Sequence, residues 1–165
     1  MRVYVPATLA MLQQLVADQM LHARSGTAFA VTPTLREAYA QGDDDELAEV
    51  ALREAALASL RLLAGEGASP LPPRRAVVLA DVGDVTPRPD LDDAVVRLSG
   101  PIAFADVIAA YVDNADAEGA VLAAIEAVDD ADLGDEDAEF VVGDAQDHDL
   151  AWYASQELPF LLELL

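Results

Sequence analysis

The sequence predicts an α+β fold with a mixed or mainly antiparallel sheet covered by helices. Three observations predict it. Short β-branched runs recur along the chain, bounded by Gly, Pro and Asp. Between them lie longer stretches whose apolar residues repeat at helical spacing. Apolar residues make up 53% of the 165, enough for a sizeable core despite the charge. One domain spanning residues 1–165 is expected, and the Gly- and Pro-rich segment 65–75 could join two halves, 1–64 and 76–165.

Val3 and Val5 alternate with Arg2 and Tyr4 as far as Pro6, which reads as a strand at about 2–6. Thr8 is placed to cap a helix with Leu9, Leu12, Val16 and Met20 on one face, running to about residue 22. Ser25-Gly26 breaks it, and Thr27 to Val31 reads as a second strand. Pro33 suits a first helical turn, and Thr34 with Glu37 has capping-box spacing, so a short helix is expected to about Ala40. After Gly42, the acids Asp43-Asp44-Asp45 open a helix over about 44–64, with Leu47, Val50, Leu57 and Leu60 on one face.

Ala76 to Val82 reads as a buried strand, 83–93 as a Pro- and Asp-rich loop, and Ala94 to Leu98 as another strand. Val107 to Val112 is read as a strand, although Phe104, Val107, Ile108 and Tyr111 also fit a helical face. Asp116 is expected to cap a helix to about Val128, followed by an acidic loop from Asp129 to Glu139 and a short strand at 140–142. Asp147 or Asp149 would start a last helix through Trp152 and Tyr153 that Pro159 interrupts or ends. The two strand–helix–strand units suggest a ferredoxin-like or related open-faced sandwich, which adjacent parallel strands joined by crossovers would support.

Net charge is −22, and all nine basic residues are Arg. Residues 98–165 hold 17 of the 31 acids and no Arg or Lys. Such a field repels phosphate, so no direct nucleic-acid partner and no anionic membrane partner are expected. A protein partner with a basic surface is favoured instead. The absence of Cys excludes disulfides, thiolate zinc sites and cysteine nucleophiles. The absence of Lys excludes Schiff-base chemistry and a P-loop lysine. No apolar run approaches the ~20 residues of a membrane span, and no signal peptide is read at the N-terminus, so a cytoplasmic setting is expected.

The acidic run Asp129 to Asp137 fails the EF-hand template. With Gly134 at the turn, Ala131 and Leu133 fall where ligands belong. A weak calcium or magnesium site competes there with a solvated loop, which is the simpler reading. Asp144, Asp147, His148 and Asp149 could form a divalent-metal site, since hard carboxylates flank an imidazole; the competing role is a helix cap. No cofactor is identified beyond such a cation. Trp152 and Tyr153, with Phe160, Leu161 and Leu164, are candidates for an interaction surface or homo-oligomer contact, against the plainer role of docking the C-terminal segment. Arg74 and Arg75, with Arg88 and Arg97, could gather around an anion, but pairing with the surplus acids is expected.

Arg2-Val3-Tyr4-Val5-Pro6-Ala7-Thr8, Ala30-Val31-Thr32-Pro33-Thr34-Leu35-Arg36-Glu37 and Asp147-His148-Asp149-Leu150-Ala151-Trp152-Tyr153 together resemble a family of uncharacterised actinobacterial proteins. The resemblance covers nearly the whole chain. It implies a GC-rich source, in keeping with the Arg-only basicity, and carries no catalytic residues. The expected function is that of a non-enzymatic acidic interaction or regulatory protein. A divalent-metal-binding protein or metal-dependent enzyme, and a DNA-mimic-like acidic inhibitor, are the alternatives.

Overall fold

The computed structural model describes residues 1–165. Strand β1 (Arg2–Ala7) leads into helix α1 (Leu9–Asp18), where the Thr8 hydroxyl oxygen accepts from the Met11 N–H. The helix ends earlier than the apolar spacing predicts. Gln19 turns left-handed at φ 62, and Met20–Leu21 form strand β2. Strand β3 (Thr27–Phe29) follows. Helix α2 (Pro33–Ala38) is capped by Thr32, not by the Thr34–Glu37 pair, because the Thr32 side chain accepts from the Leu35 N–H. Helix α3 (Asp44–Glu66) starts at the expected acids, with Asp43 as its cap. The middle of its buried face is built of small residues: Ala51, Ala55, Ala56 and Ser59 lie between Leu47 and Leu60.

The second half runs through β4 (Ala76–Asp81), β5 (Val85–Pro87), β6 (Val95–Leu98), β7 (Ile102–Ala103) and β8 (Val107–Asp113). Strand β5 lies inside the segment expected to be loop. Helices α4 (Glu118–Asp132) and α5 (Glu136–Gln146) then form a hairpin, followed by β9 (Leu150–Ala154) and α6 (Leu158–Glu163).

This last stretch departs most from expectation. The acidic segment 129–139 is nearly all helix, turning at Gly134 with φ 97. Three acids in the first turn of α5 complement its dipole, and Asp135 caps it. Residues 140–142 are helical because Ala138, Val142 and Ala145 bury a stripe at i, i+4 and i+7. Residues 150–154 form a strand, not a helix, and Asp147 closes the preceding helix instead of opening a new one.

The sheet order is β5-β6-β3-β1-β4-β8-β9, and β2 pairs with β7 in a separate ribbon. Every ladder is antiparallel. The first strand–helix–strand unit exists in chain order, with β1 and β3 as antiparallel neighbours. The second, expected over about 107–142, does not, because 140–142 are helical and β8 reaches its antiparallel neighbour β9 through two helices, α4 and α5. Neither unit supplies the parallel pair that a ferredoxin-like crossover requires. Strand β1 pairs along its full length with β4, so the segments on either side of the 65–75 loop share one sheet.

Successive residues of the central strands point to opposite faces. Val3, Val5, Val78 and Val112 pack with α1 and α6, whereas Tyr4, Val77 and Leu79 pack with α2 and α3. A third apolar cluster joins Leu60 and Leu63 of α3 to Val121, Ala124 and Val128 of α4 and to Val142 of α5. The sheet is thus covered on both faces, with the α4–α5 hairpin outside α3. Fully buried Ser59 stitches α3 to the sheet: its hydroxyl donates to the Ala7 carbonyl at 2.7 Å and accepts from the Ala76 N–H at 3.0 Å.

Candidate functional site

The sequence just before β4 places Arg75 beside the end of β8, where it meets Asp113. Both are buried, at 1% and 0% side-chain exposure. The Arg75 Nε and Nη2 donate to the two Asp113 carboxylate oxygens at 2.9 and 2.8 Å, and the Arg75 backbone N–H adds a third bond at 2.8 Å. The same guanidinium donates to Gln146 Oε1 at 2.8 Å and to the His148 carbonyl at 2.9 Å. Gln146 in turn donates to the Arg53 carbonyl on α3. One arginine therefore ties the end of α5 and the approach to β9 onto the centre of the sheet. No buried side-chain polar atom is left without a partner. Arg74 pairs with Glu118 and Arg88 with Asp90, so these arginines neutralise acids, as expected; Arg97 has no ion pair.

A cleft of about 230 Å³ opens beside this clamp, lined by Glu49 and Arg53 of α3, Tyr111 of β8, and His148, Asp149 and Leu150. The Tyr111 ring lies 6.4 Å from that of Tyr4 on β1. Burial pushes both phenols above their ordinary range; the second cause is the neighbouring phenol for Tyr4 and Glu49 for Tyr111. Both stay protonated at neutral pH. Arg75 is committed to the clamp, and Arg53 reaches the Gln146 carbonyl at 3.4 Å. The charges without an ion pair at the mouth are the exposed carboxylates of Glu49 and Asp149 and the exposed guanidinium of Arg53, a net of one negative charge.

On the outer face of α5, Glu136, Glu139, Phe140, Gly143, Asp144 and Asp147 line a groove of about 500 Å³. These residues recur at helical spacing and form one stripe. Phe140 stands 78% exposed between the acids. Gly143 leaves a notch beside the ring, since a methyl group there would meet nothing within 4 Å.

The four residues considered for a metal divide between these two features. Asp144 and Asp147 face the α5 groove, whereas His148 and Asp149 line the cleft. No group of three or more His, Asp or Glu side chains is gathered as a metal ion would need. Of the apolar candidates, Tyr153 packs against the α1 and α6 side of the core, and Leu161 is buried. Trp152 is 54% exposed, and Phe160 and Leu164 also face solvent.

Sequence reasoning missed the Asp113 and Gln146 partners of Arg75, because residues 38 and 71 positions apart meet only through the fold. It also missed Phe140 as a surface residue. The signal was available: placing Ala138, Val142 and Ala145 on one helical face puts Phe140 and the acids on the other.

Residues 1–162 match a family described as a family of unknown function, DUF6912. The chain belongs to this family. No curated protein and no solved structure matches the chain. DUF6912 membership covers the cleft, the groove and β9 alike and brings no residue roles with it, so what these features do has to be argued from their own chemistry.

Proposed function

We propose that this chain is a non-enzymatic interaction protein that engages a basic protein partner through its C-terminal third. The observation carrying this reading is the uncompensated charge of the α4–α5 hairpin around exposed apolar side chains. Of the 17 acids in residues 98–165, three are paired with arginines: Asp113, Glu118 and Asp132. The other 14 have no cationic partner within the chain. Phe140 and Leu133 stand exposed in this field, at 78% and 86%. Solubility needs charge but is not served by a bare phenylalanine ring between carboxylates. A cationic, partly apolar partner would satisfy both, and charge complementarity would steer it at low salt.

The test uses a blocked synthetic peptide of alternating Lys and Val. Binding should fall steeply with ionic strength, because the contacts are screened over roughly 8–10 Å at physiological salt. Neutralising the groove with Glu136→Gln, Glu139→Gln, Asp144→Asn and Asp147→Asn should weaken it at least about tenfold, a loss of about 1.4 kcal/mol. Neutralising an equal number elsewhere, at Asp18, Glu37, Asp45 and Glu46, should change it much less. Equal losses from both sets would mean a diffuse field without a site.

A further inference from the structure

We propose that the outer edge of β9 accepts an extended basic segment of a partner protein as an added strand, with a Lys or Arg side chain seated in the cleft between Glu49 and Asp149. The proposal rests on the acidic-interaction reading above and names where and how the partner is held.

The register decides which groups are free. The Asp113 N–H donates to the Arg75 carbonyl at 3.1 Å, so Asp113 and Tyr111 direct their backbone groups towards β4. Along an antiparallel strand this direction alternates, so Val112 and Ala110 face β9. Their partners are Ala151 and Tyr153. The N–H and C=O groups of Leu150 and Trp152 and the N–H of Ala154 therefore point away from the sheet, where no strand follows β9, while the Ala154 carbonyl opens the short turn Ser155–Glu157. An exposed edge is a template for another strand unless it is blunted by charge, Pro or a bulge. Leu150–Ala154 contains none of these.

The side chains suit the same occupant. Leu150 belongs to the α3 side of the sheet, and Trp152, two residues on, points the same way opposite Tyr111. The cleft opens at Leu150 on that side. An added strand would align its backbone with the free edge and send alternate side chains towards Trp152 and the cleft, the division of labour that strand addition uses. Glu49 and Asp149 outnumber the one unpaired cation of the cleft, Arg53, and favour a cation there, while Asp147 and Glu157 flank the strand at either end. The same acids oppose a second copy. Pairing β9 with its own duplicate would bring two chains of charge −22 together along these residues.

The probe is the blocked peptide acetyl-(Lys-Val)3-Lys-amide, read by fluorescence of Trp152, the single tryptophan of the chain. Its counterpart carries N-methyl groups on every backbone amide, which keeps charge and side chains but removes the donors. Ala154→Pro is the matching protein variant: φ is already −63° there, so proline fits while removing an outward N–H. The expected result is at least about tenfold weaker binding for the methylated peptide and for Ala154→Pro. Slowed hydrogen exchange of the Leu150, Trp152 and Ala154 amides is expected on adding the unmodified peptide. Equal binding of both peptides would overturn strand addition and leave the acidic-surface reading standing. No binding of either at low salt would overturn both. A dimer with those three amides protected in the absence of peptide would show that a second copy holds the edge, which also overturns the proposal. If Ala154→Pro fails to fold, the comparison of the two peptides still decides.

Discussion

At one end of the seven-stranded sheet, β5 is three residues long and ends in Pro87; at the other, β9 is five residues long and carries neither Pro nor charge. The β5 edge is closed locally. Pro87 cannot donate, and the Arg88–Asp90 pair caps the turn with an exposed ion pair. The β9 edge is left open but anchored from behind, where Arg75 bonds Asp113, Gln146 and the His148 carbonyl out of reach of water. The difference teaches what each arginine is for. An exposed pair contributes little to stability, whereas a buried, fully bonded pair fixes geometry and is costly to break. The clamp fixes β9 from behind while its outer edge meets no further strand, the arrangement that the proposed strand addition would use.

Breaking the anchor should have the largest effect. Arg75→Leu leaves the Asp113 carboxylate buried without its two guanidinium donors and with no positive charge beside it, and a loss of about 3–5 kcal/mol is expected in urea unfolding. Hydrogen exchange in β9 should accelerate more than in β5. The double variant Arg75→Leu with Asp113→Leu should recover much of the loss, because two apolar groups leave no orphaned charge. At the other edge, Arg88→Leu should leave the thermal midpoint almost unchanged. Equal responses at the two ends would remove the distinction drawn between them.

A smaller effect, of opposite sign, sharpens the same contrast. Gly143 sits inside α5, the helix that leads to β9, and its surroundings would accept a methyl group. Glycine inside a helix costs about 0.5–1 kcal/mol relative to alanine. Gly143→Ala should therefore stabilise the chain by that amount in a thermal melt, while narrowing the notch beside Phe140 and weakening the basic peptide. A gain in stability without any loss of binding would mean that the groove does not use the notch.

How much of this was legible follows from which interactions are local. Thr8, Asp43 and the apolar face of α3 were readable because caps and helical periodicity act within a few residues. The ladder β1–β4 was foreshadowed by two β-branched runs, though not its antiparallel register with its neighbours. Leu150–Ala154 was misread because Asp147 and Asp149 imitate caps, and only pairing with β8 decides between helix and strand there. The acidic hairpin was misread for a related reason: clustered Asp suggests a loop, yet packing on Leu60 and Leu63 of α3 overrides that preference. Arg61 helps as well, placing two bonds of 2.9 Å on Asp132 where the end of the α4 dipole would otherwise repel it. The candidate site was half visible. Asp144, Asp147, His148, Asp149 and Trp152 were singled out, whereas Glu49, Tyr111 and Phe140 were not, because their division between cleft, groove and edge depends on partners far away in the chain.

The smallest predicted effect lies on the β5 side and tests whether charge there is merely tolerated. Half-buried Glu54 on α3 has its carboxyl raised above the ordinary range, first by burial and then by Asp92 in the turn after β5. A raised native pKa means that the folded chain takes up this proton more readily than the unfolded one. The charged form is therefore a liability at pH 7, and stability rises as pH falls from the raised native value to the ordinary carboxylate value. Glu54→Gln should raise the midpoint slightly at pH 7, with the gain shrinking through that same window. Asp132 is the opposite case. Its hydrogen bonds from Arg61 lower its pKa, so its contribution is complete above the ordinary carboxylate value and is lost as pH falls through the lowered one. Asp132→Asn should accordingly lower the midpoint at pH 7 and matter least in acid. If Glu54→Gln destabilises at pH 7, the carboxylate is held by an interaction that outweighs its burial, and the β5 side would then be organised by charge as β9 is by the Arg75 clamp.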